Sequence, residues 1–260
     1  MWTDPSHIIL ILGSGALVGF TLGLIGGGGS ILAVPLMVYV IGVRDAHVAI
    51  GTSAVTVAFN ALTSLAQHTR AGTVKWRCAG IFASCGMLGA FLGAHLGKMM
   101  DGQRLLLLFA LLMIAVGVLM LRGRHEVGCE GASCNRENVG KVMLFGSGTG
   151  LLSGFFGIGG GFLIVPGLIA STHMPILNAV GTSLVAVTVF GVSTAISYML
   201  SGYVDWQLAA LFIPGGIIGS YLGCWAARRI GKNNCRLTTA FSAIIFLVAF
   251  YVIWRAISAL

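Results

Sequence analysis

The chain has 260 residues, of which 57% are hydrophobic and only 8% charged, with 15 Lys/Arg against 7 Asp/Glu. A soluble domain carries roughly 25% charged residues, so the polar surface needed by a soluble enzyme is missing. The net charge of +8 does not argue for nucleic-acid binding, because basic loops facing an anionic membrane surface account for it. The composition is that of an integral membrane protein.

Ten uncharged apolar stretches follow in chain order. Residues 8–25, 30–43, 46–66, 79–96 and 105–121 form a first set, and 142–158, 161–170, 176–200, 208–227 and 237–254 a second. Every Asp, Glu, Lys and Arg falls outside them, while His47 and His95 lie near the ends of two. About 20 apolar residues cross a bilayer as a helix. Stretches 30–43 and 161–170, about 21 and 15 Å long as helices, therefore read as re-entrant or partial segments. Asp4, with no Lys/Arg ahead of the first stretch, reads as the start of a retained span rather than a cleaved signal peptide. The expectation is an all-α polytopic membrane protein with units 1–121 and 142–260, four or five segments each. Residues 122–141, with seven charges, read as a disordered connection.

The two sets repeat each other. Gly23-Leu24-Ile25-Gly26-Gly27-Gly28-Gly29-Ser30-Ile31-Leu32-Ala33-Val34-Pro35 matches Gly154-Phe155-Phe156-Gly157-Ile158-Gly159-Gly160-Gly161-Phe162-Leu163-Ile164-Val165-Pro166, offset by 131. After a gap of one residue the offset becomes 130. Gly51-Thr52-Ser53 then matches Gly181-Thr182-Ser183, and Gly72-Thr73-Val74-Lys75-Trp76 matches Gly202-Tyr203-Val204-Asp205-Trp206. Gly86, Gly89, Leu92 and Gly93 match Gly216, Gly219, Leu222 and Gly223. If the chain turns back at each Gly-rich break, alternate sides carry 11 and 4 Lys/Arg. If it does not, the two sides come out nearly equal. The excess of Lys/Arg in cytoplasmic loops favours the turned-back arrangement, which makes the halves inverted repeats with broken helices.

Non-helical backbone at membrane depth occurs where it is buried in protein or lines a wet cavity. Gly26, Gly27, Gly28, Gly29 and Gly157, Gly159, Gly160, Gly161 therefore read as substrate lining, with Ser30 and Gly161 opening short helices whose free N–H groups suit an anion. Thr52, Ser53, Thr182 and Ser183 add hydroxyls, and the expected anion site lies near midplane between the two clusters. The other glycines, such as Gly86 and Gly216, read as close helix packing. Asn60 and Gln67 share a helix face, and Phe190 stands where the second half would have Asn60, so Asn60 reads as an asymmetric specificity contact. No Asp or Glu enters a stretch, so no carboxylate cage for a metal or alkali cation and no carboxylate proton relay is expected. No cofactor is expected either. Proton coupling would fall to His47, His68 or His95, each of which reads first as a membrane-edge residue.

At the two Gly-rich/Pro blocks and the two Gly-Thr-Ser blocks the chain resembles the sulfite exporter TauE/SafE family, also called toluene sulfonate uptake permeases, over nearly its whole length. The resemblance implies a multi-pass inner-membrane permease, not an enzyme, for a small sulfur-containing anion: sulfite, a sulfonate, sulfoacetate or thiosulfate. Its partners would be that anion and the lipid bilayer, with no nucleic acid, and a homo-oligomer is compatible with it. Import and export both occur in the family. The rival reading is a membrane thiol or sulfur-relay oxidoreductase using Cys85 and Cys224. It lacks any Cys-x-x-Cys pair, and small-residue packing accounts for both thiols.

Overall fold

The computed structural model describes residues 5–122, 136–156 and 161–230, together with 243, 245–247, 249–250 and 254. In order, these are α1 (Pro5–Ile25), a 3₁₀ run (Gly26–Leu32), a single turn α2 (Ala33–Pro35) and a π-helical turn (Leu36–Ile41). Then come α3 (Ala46–Arg70), α4 (Trp76–Lys98), α5 (Gly102–Arg122), α6 (Arg136–Phe156), α7 (Gly161–Thr172), α8 (Ile176–Leu200) and α9 (Trp206–Ile230). Among the described residues there is no strand. Among the described residues six helices are long and apolar enough to cross a membrane: α1, α3, α4, α6, α8 and α9. Helices are the form in which a spanning chain bonds all its backbone internally where water is absent. Large apolar side chains such as Leu88, Leu92, Leu144, Leu200 and Leu222 stay exposed on the outside, as lipid contact requires.

Polar ends fix where the helices begin. The Asp45 carboxylate accepts the His47 N–H (2.8 Å) at the start of α3. At the start of α9, Asp205 accepts the Gln207 and Leu208 N–H groups, both at 3.0 Å. These are side-chain caps on orphan donors. Helix α6 begins at Arg136, inside the expected connection, so its first turn carries charges that the apolar count had assigned to a loop. Gly72 (φ +70°) and Gly202 (φ +75°) make equivalent left-handed turns before α4 and α9. Gly42 (φ +86°) closes the π turn, and exposed His173 (φ +53°) takes the same left-handed place after α7. Three residues then lead into α3 but only Met174 and Pro175 into α8, which locates the one-residue gap between the halves.

Packing crosses between the halves. Helix α1 lies chiefly on α9 and, equivalently, α6 on α4. A Cβ at Gly15 would meet Phe212, at Gly19 the Gly216 carbonyl, and at Gly23 Ser220 and Cys224. Gly86, Gly89, Gly93 and Gly97 similarly face Gly146, Ser147, Leu151 and Phe155. Both series climb together, so the paired helices run in the same direction, backbone against backbone. The expected packing role of Gly86, Gly89, Gly216 and Gly219 is thus met at named partners. Helices α3 and α8 behave oppositely: Gly51 meets Tyr198, Gly191 meets Ala58, and Gly181 meets Thr73 just past the end of α3. These equivalent helices run antiparallel.

Because a Cβ at Gly19 would overlap backbone while nothing lies within 4 Å of one at Gly148, the two positions should respond differently. Gly19→Leu is expected to destabilise by about 1–3 kcal/mol or more through overpacking, and Gly148→Leu to be tolerated. Thermal loss of the monodisperse peak in detergent measures both.

Candidate functional site

The first glycine cluster breaks the helix at a single residue. Gly26 takes φ +68°, a conformation that carries no steric penalty only for glycine, and a Cβ there would stand 2.7 Å from the Val180 carbonyl and 2.8 Å from Ser183 Oγ. The chain then continues as the 3₁₀ run instead of opening a new helix at Ser30. Ser30 is buried inside that run, with its hydroxyl donating to the Gly27 carbonyl at 2.8 Å. The helix N-terminus expected at Ser30 is therefore absent, because one left-handed residue re-aims the chain without unwinding it. Gly28 and Gly29 lie in the same run. In the second half, Gly161 does open α7, as expected, whereas Gly157, Gly159 and Gly160 fall outside the described residues.

The Gly-Thr-Ser blocks do not converge on one midplane point. Thr52 Oγ1 accepts the Asp205 N–H at 2.9 Å, and Thr182 Oγ1 accepts the Lys75 N–H at 3.0 Å. Each half thus fastens the short loop of the other, at opposite ends of the α3–α8 pair. The rise along α3 from Gly51 to His68 is about 25 Å at 1.5 Å per residue. Ser53 donates to Ile50 O (2.8 Å) and Ser183 to Val180 O (2.7 Å), the back-bonding usual for hydroxyls in apolar helices. Ser183 Oγ also accepts the Gly27 N–H at 3.2 Å. The first glycine break is therefore docked on the second half's Gly-Thr-Ser block. Antiparallel pairing of α3 and α8 sends the two blocks to opposite ends, which residue spacing alone could not reveal.

What lies midway is Asn60. It is fully buried, at 0% exposure, and neither its Nδ2 nor its Oδ1 has a hydrogen-bond partner. Its side chain fills the notch left by Gly216 on α9. In the other half Phe190 fills the equivalent notch at Gly86 and stacks on Phe82, with centroids 6.3 Å apart. The same groove thus holds an unmet amide on one side and a phenyl ring on the other. Gln67, expected to share a face with Asn60, is only half-buried. The polar file instead steps by four: Asn60, Ser64, His68, with Ser64 donating to Ser220 Oγ at 3.0 Å.

Sequence reasoning placed His68 at a membrane edge, but the structure buries it at 1% exposure, while His95 is exposed and His47 half-buried. The four-residue spacing of Asn60, Ser64 and His68 was the available signal. The thiols of the rival reading are not brought together: Cys85 is half-buried on α4 and Cys224 buried on α9, helices whose main partners are α6 and α1. Among the described residues no group of His, Cys, Asp and Glu could hold a metal ion.

A helical, lipid-faced bundle of two reciprocally packed halves, with a broken helix at Gly26 and an unpaired amide at its centre, has the form of a membrane transporter. The sulfite exporter TauE/SafE family model matches residues 11–252, and the chain belongs to that family. A probable membrane transporter protein of Xylella fastidiosa (strain 9a5c) is 52% identical over 96% of both chains. The probable membrane transporter protein YdhB of Bacillus subtilis is 30% identical over 92% of this chain and 99% of its own. A probable membrane transporter protein of Methanocaldococcus jannaschii is 27% identical over 89% of this chain and 92% of its own. No solved structure matches the chain at a significant level. The protein is a multi-pass membrane transporter, not an enzyme.

An unmet buried amide costs about 1–3 kcal/mol, and apolar replacement of similar shape removes that cost. Asn60→Leu is therefore expected to hold or raise stability, by about 1 kcal/mol at most once the tighter fit is counted. Thermal unfolding in detergent checks it, and a marked loss of stability would show that Asn60 is a structural residue.

Proposed function

We propose that the protein is a secondary permease that carries a small sulfur-containing anion of the sulfite, sulfonate, sulfoacetate or thiosulfate type across the inner (plasma) membrane. It works by alternating access between two inverted repeats, residues 1–121 and 142–260. The observation that carries this reading is Asn60, a fully buried amide with both polar atoms unpaired midway along the α3–α8 pair. An amide N–H₂ donates to an oxyanion without bringing a fixed charge, and an anion is the partner that would repay its burial.

The end contacts become gates in this scheme. Gly26 and Gly27 on Ser183, with Lys75 on Thr182, form one. Asp205 on Thr52, beside Ser53, forms the other, and the sequence repeat assigns Gly157, Gly159, Gly160 and Gly161 the role there that Gly26, Gly28, Gly29 and Ser30 have at the first. Gly28, Gly29 and Ser30 line the approach to the first gate. Opening one while the other stays docked exposes Asn60 to one side at a time. Antiparallel α3 and α8 support the inversion, since two equivalent helices that both cross the membrane in opposite senses must belong to oppositely inserted halves.

Counterflow in proteoliposomes against sulfite, thiosulfate, sulfoacetate, toluene sulfonate and carboxylates tests the substrate. Exchange confined to the sulfur anions, lost at least ~10-fold in Asn60→Leu and in Gly26→Ala, is the expected result; 10-fold corresponds to about 1.4 kcal/mol. Flux of carboxylates alone, or full flux in Asn60→Leu, would sink it. Topology is checked separately through exposed Trp76 and Trp206. Single cysteines there should label from opposite faces of the membrane, and labelling from one face would eliminate the inverted arrangement.

A further inference from the structure

His68 is, among the described residues, the only buried side chain of the His, Asp, Glu, Lys and Arg types. An ionisable group enclosed in a membrane bundle is costly to keep, which makes its bonding the place to look for a role. Its Nε2 lies 3.2 Å from the Gly23 carbonyl, in the last turn of α1 before the break at Gly26. Its Nδ1 lies 3.0 Å from Thr73 Oγ1, and that hydroxyl is also 3.1 Å from the His68 carbonyl. Thr73 in turn occupies the notch at Gly181, 2.6 Å from where a Cβ would stand. One ring therefore fastens both the end of α1 and the loop that docks on the Gly-Thr-Ser block of α8.

Counting protons across these contacts distinguishes two states. A carbonyl only accepts, so Nε2 must carry a hydrogen to bond Gly23. In the neutral ring Nδ1 is then an acceptor, and the single Thr73 hydrogen must choose between Nδ1 and the His68 carbonyl. In the imidazolium Nδ1–H donates to Thr73 Oγ1, the Thr73 hydroxyl donates to the His68 carbonyl, and all three contacts are made at once. The second half has no such device: Tyr198 stands in the equivalent place, beneath Lys98, whose Nζ is 5.7 Å from the ring centroid and donates to Ser197 O at 3.0 Å.

We infer that His68 is a proton-binding site that couples the anion pathway to protons, gripping the first gate when charged and loosening it when neutral. The coupling part rests on the anion-permease reading above. Groups that bear on the ring are few. On α9 these are Arg228, whose charge acts on the ring, and the Cys224 thiol; Lys75 is on the loop and Arg70 on the same helix. The titratable residues of α1 and α8, His7 and Tyr198, sit at their far ends. Among the described residues no carboxylate balances the ring, so an anion arriving nearby supplies the missing negative charge. Anion and proton then favour each other's binding, and by reciprocity they move together as symport.

The first test needs no substrate. In a cysteine-less background, Val74→Cys reports on the loop beside Thr73, and Val204→Cys reports on the mirror loop. Between about pH 8 and about pH 5.5, maleimide labelling at Val74→Cys, normalised to Val204→Cys, should fall several-fold. Adding His68→Gln should flatten it. A flat profile with His68 present overturns the proposal, even if the His68→Gln protein fails to fold. In proteoliposomes, thiosulfate and sulfoacetate, which do not titrate in this range, should accumulate several-fold under an imposed pH gradient. In His68→Gln that accumulation should be lost relative to the counterflow measured in the same vesicles, and gradient-driven accumulation retained in His68→Gln would also overturn the coupling. If neither anion is carried while the labelling profile still follows His68, the substrate reading fails and the proton site stands.

Discussion

Everything in this fold hangs on helices that touch backbone to backbone. Without a hydrophobic force between helices in lipid, association rests on close van der Waals packing, and small residues permit it. Gly15, Gly19 and Gly23 on α1 meet Phe212, Gly216 and Ser220 on α9, and α4 meets α6 through a matching set. A methyl group at most of these points would strike a carbonyl. The two tight pairs join one half to the other, so neither half has a complete core alone. Antiparallel α3 and α8 then close the centre between them.

From this reciprocity comes the separation of ends from middle. A motif near the start of α3 and its copy near the start of α8 arrive at opposite ends, and there each holds the other half's loop through Thr52 and Thr182. Whatever lies halfway along α3 falls close to its own counterpart. There the duplication has been broken, with Asn60 in one notch and Phe190 in the other. Symmetric residues build the frame and the fastenings, and the repeat is broken at Asn60 with Phe190 and at His68 with Tyr198, the positions to which the two proposals above assign the substrate and the proton. In the permease proposal the anion meets a buried dipole at Asn60 rather than a fixed charge.

Much of the frame was readable from residues. Apolar runs bounded by charges predicted α8 to the residue, and α1, α3 and α4 to within a few, because lipid exposure leaves little choice of side chain. The Gly-x-x-Gly spacing foretold close packing at Gly86, Gly89 and Gly93. The Lys/Arg count already favoured inverted halves, but which helices pair across them was hidden, since that depends on contacts between residues roughly 60 to 200 apart. The Gly-Thr-Ser blocks, expected to meet at one midplane site, therefore lie at opposite ends, and the helix expected to open at Ser30 is replaced there by a 3₁₀ run that follows one left-handed glycine. His68 was misjudged because a histidine two residues from a helix end looks solvated until a loop folds back over it. Asn60 was legible only as a break in the repeat, and its unmet amide needed the neighbouring Gly216 to become visible.

The α1–α9 pairing also sets an order of events during synthesis. Helix α1 emerges first, yet the surface that receives it is made about 200 residues later. At ordinary elongation rates that delay is roughly 10–40 s. Throughout it, the glycine seam of α1 faces lipid or a borrowed partner. The α4–α6 pair can form meanwhile, but α1 stays without its partner until α9 arrives, and its docking closes a contact between segments about 200 residues apart.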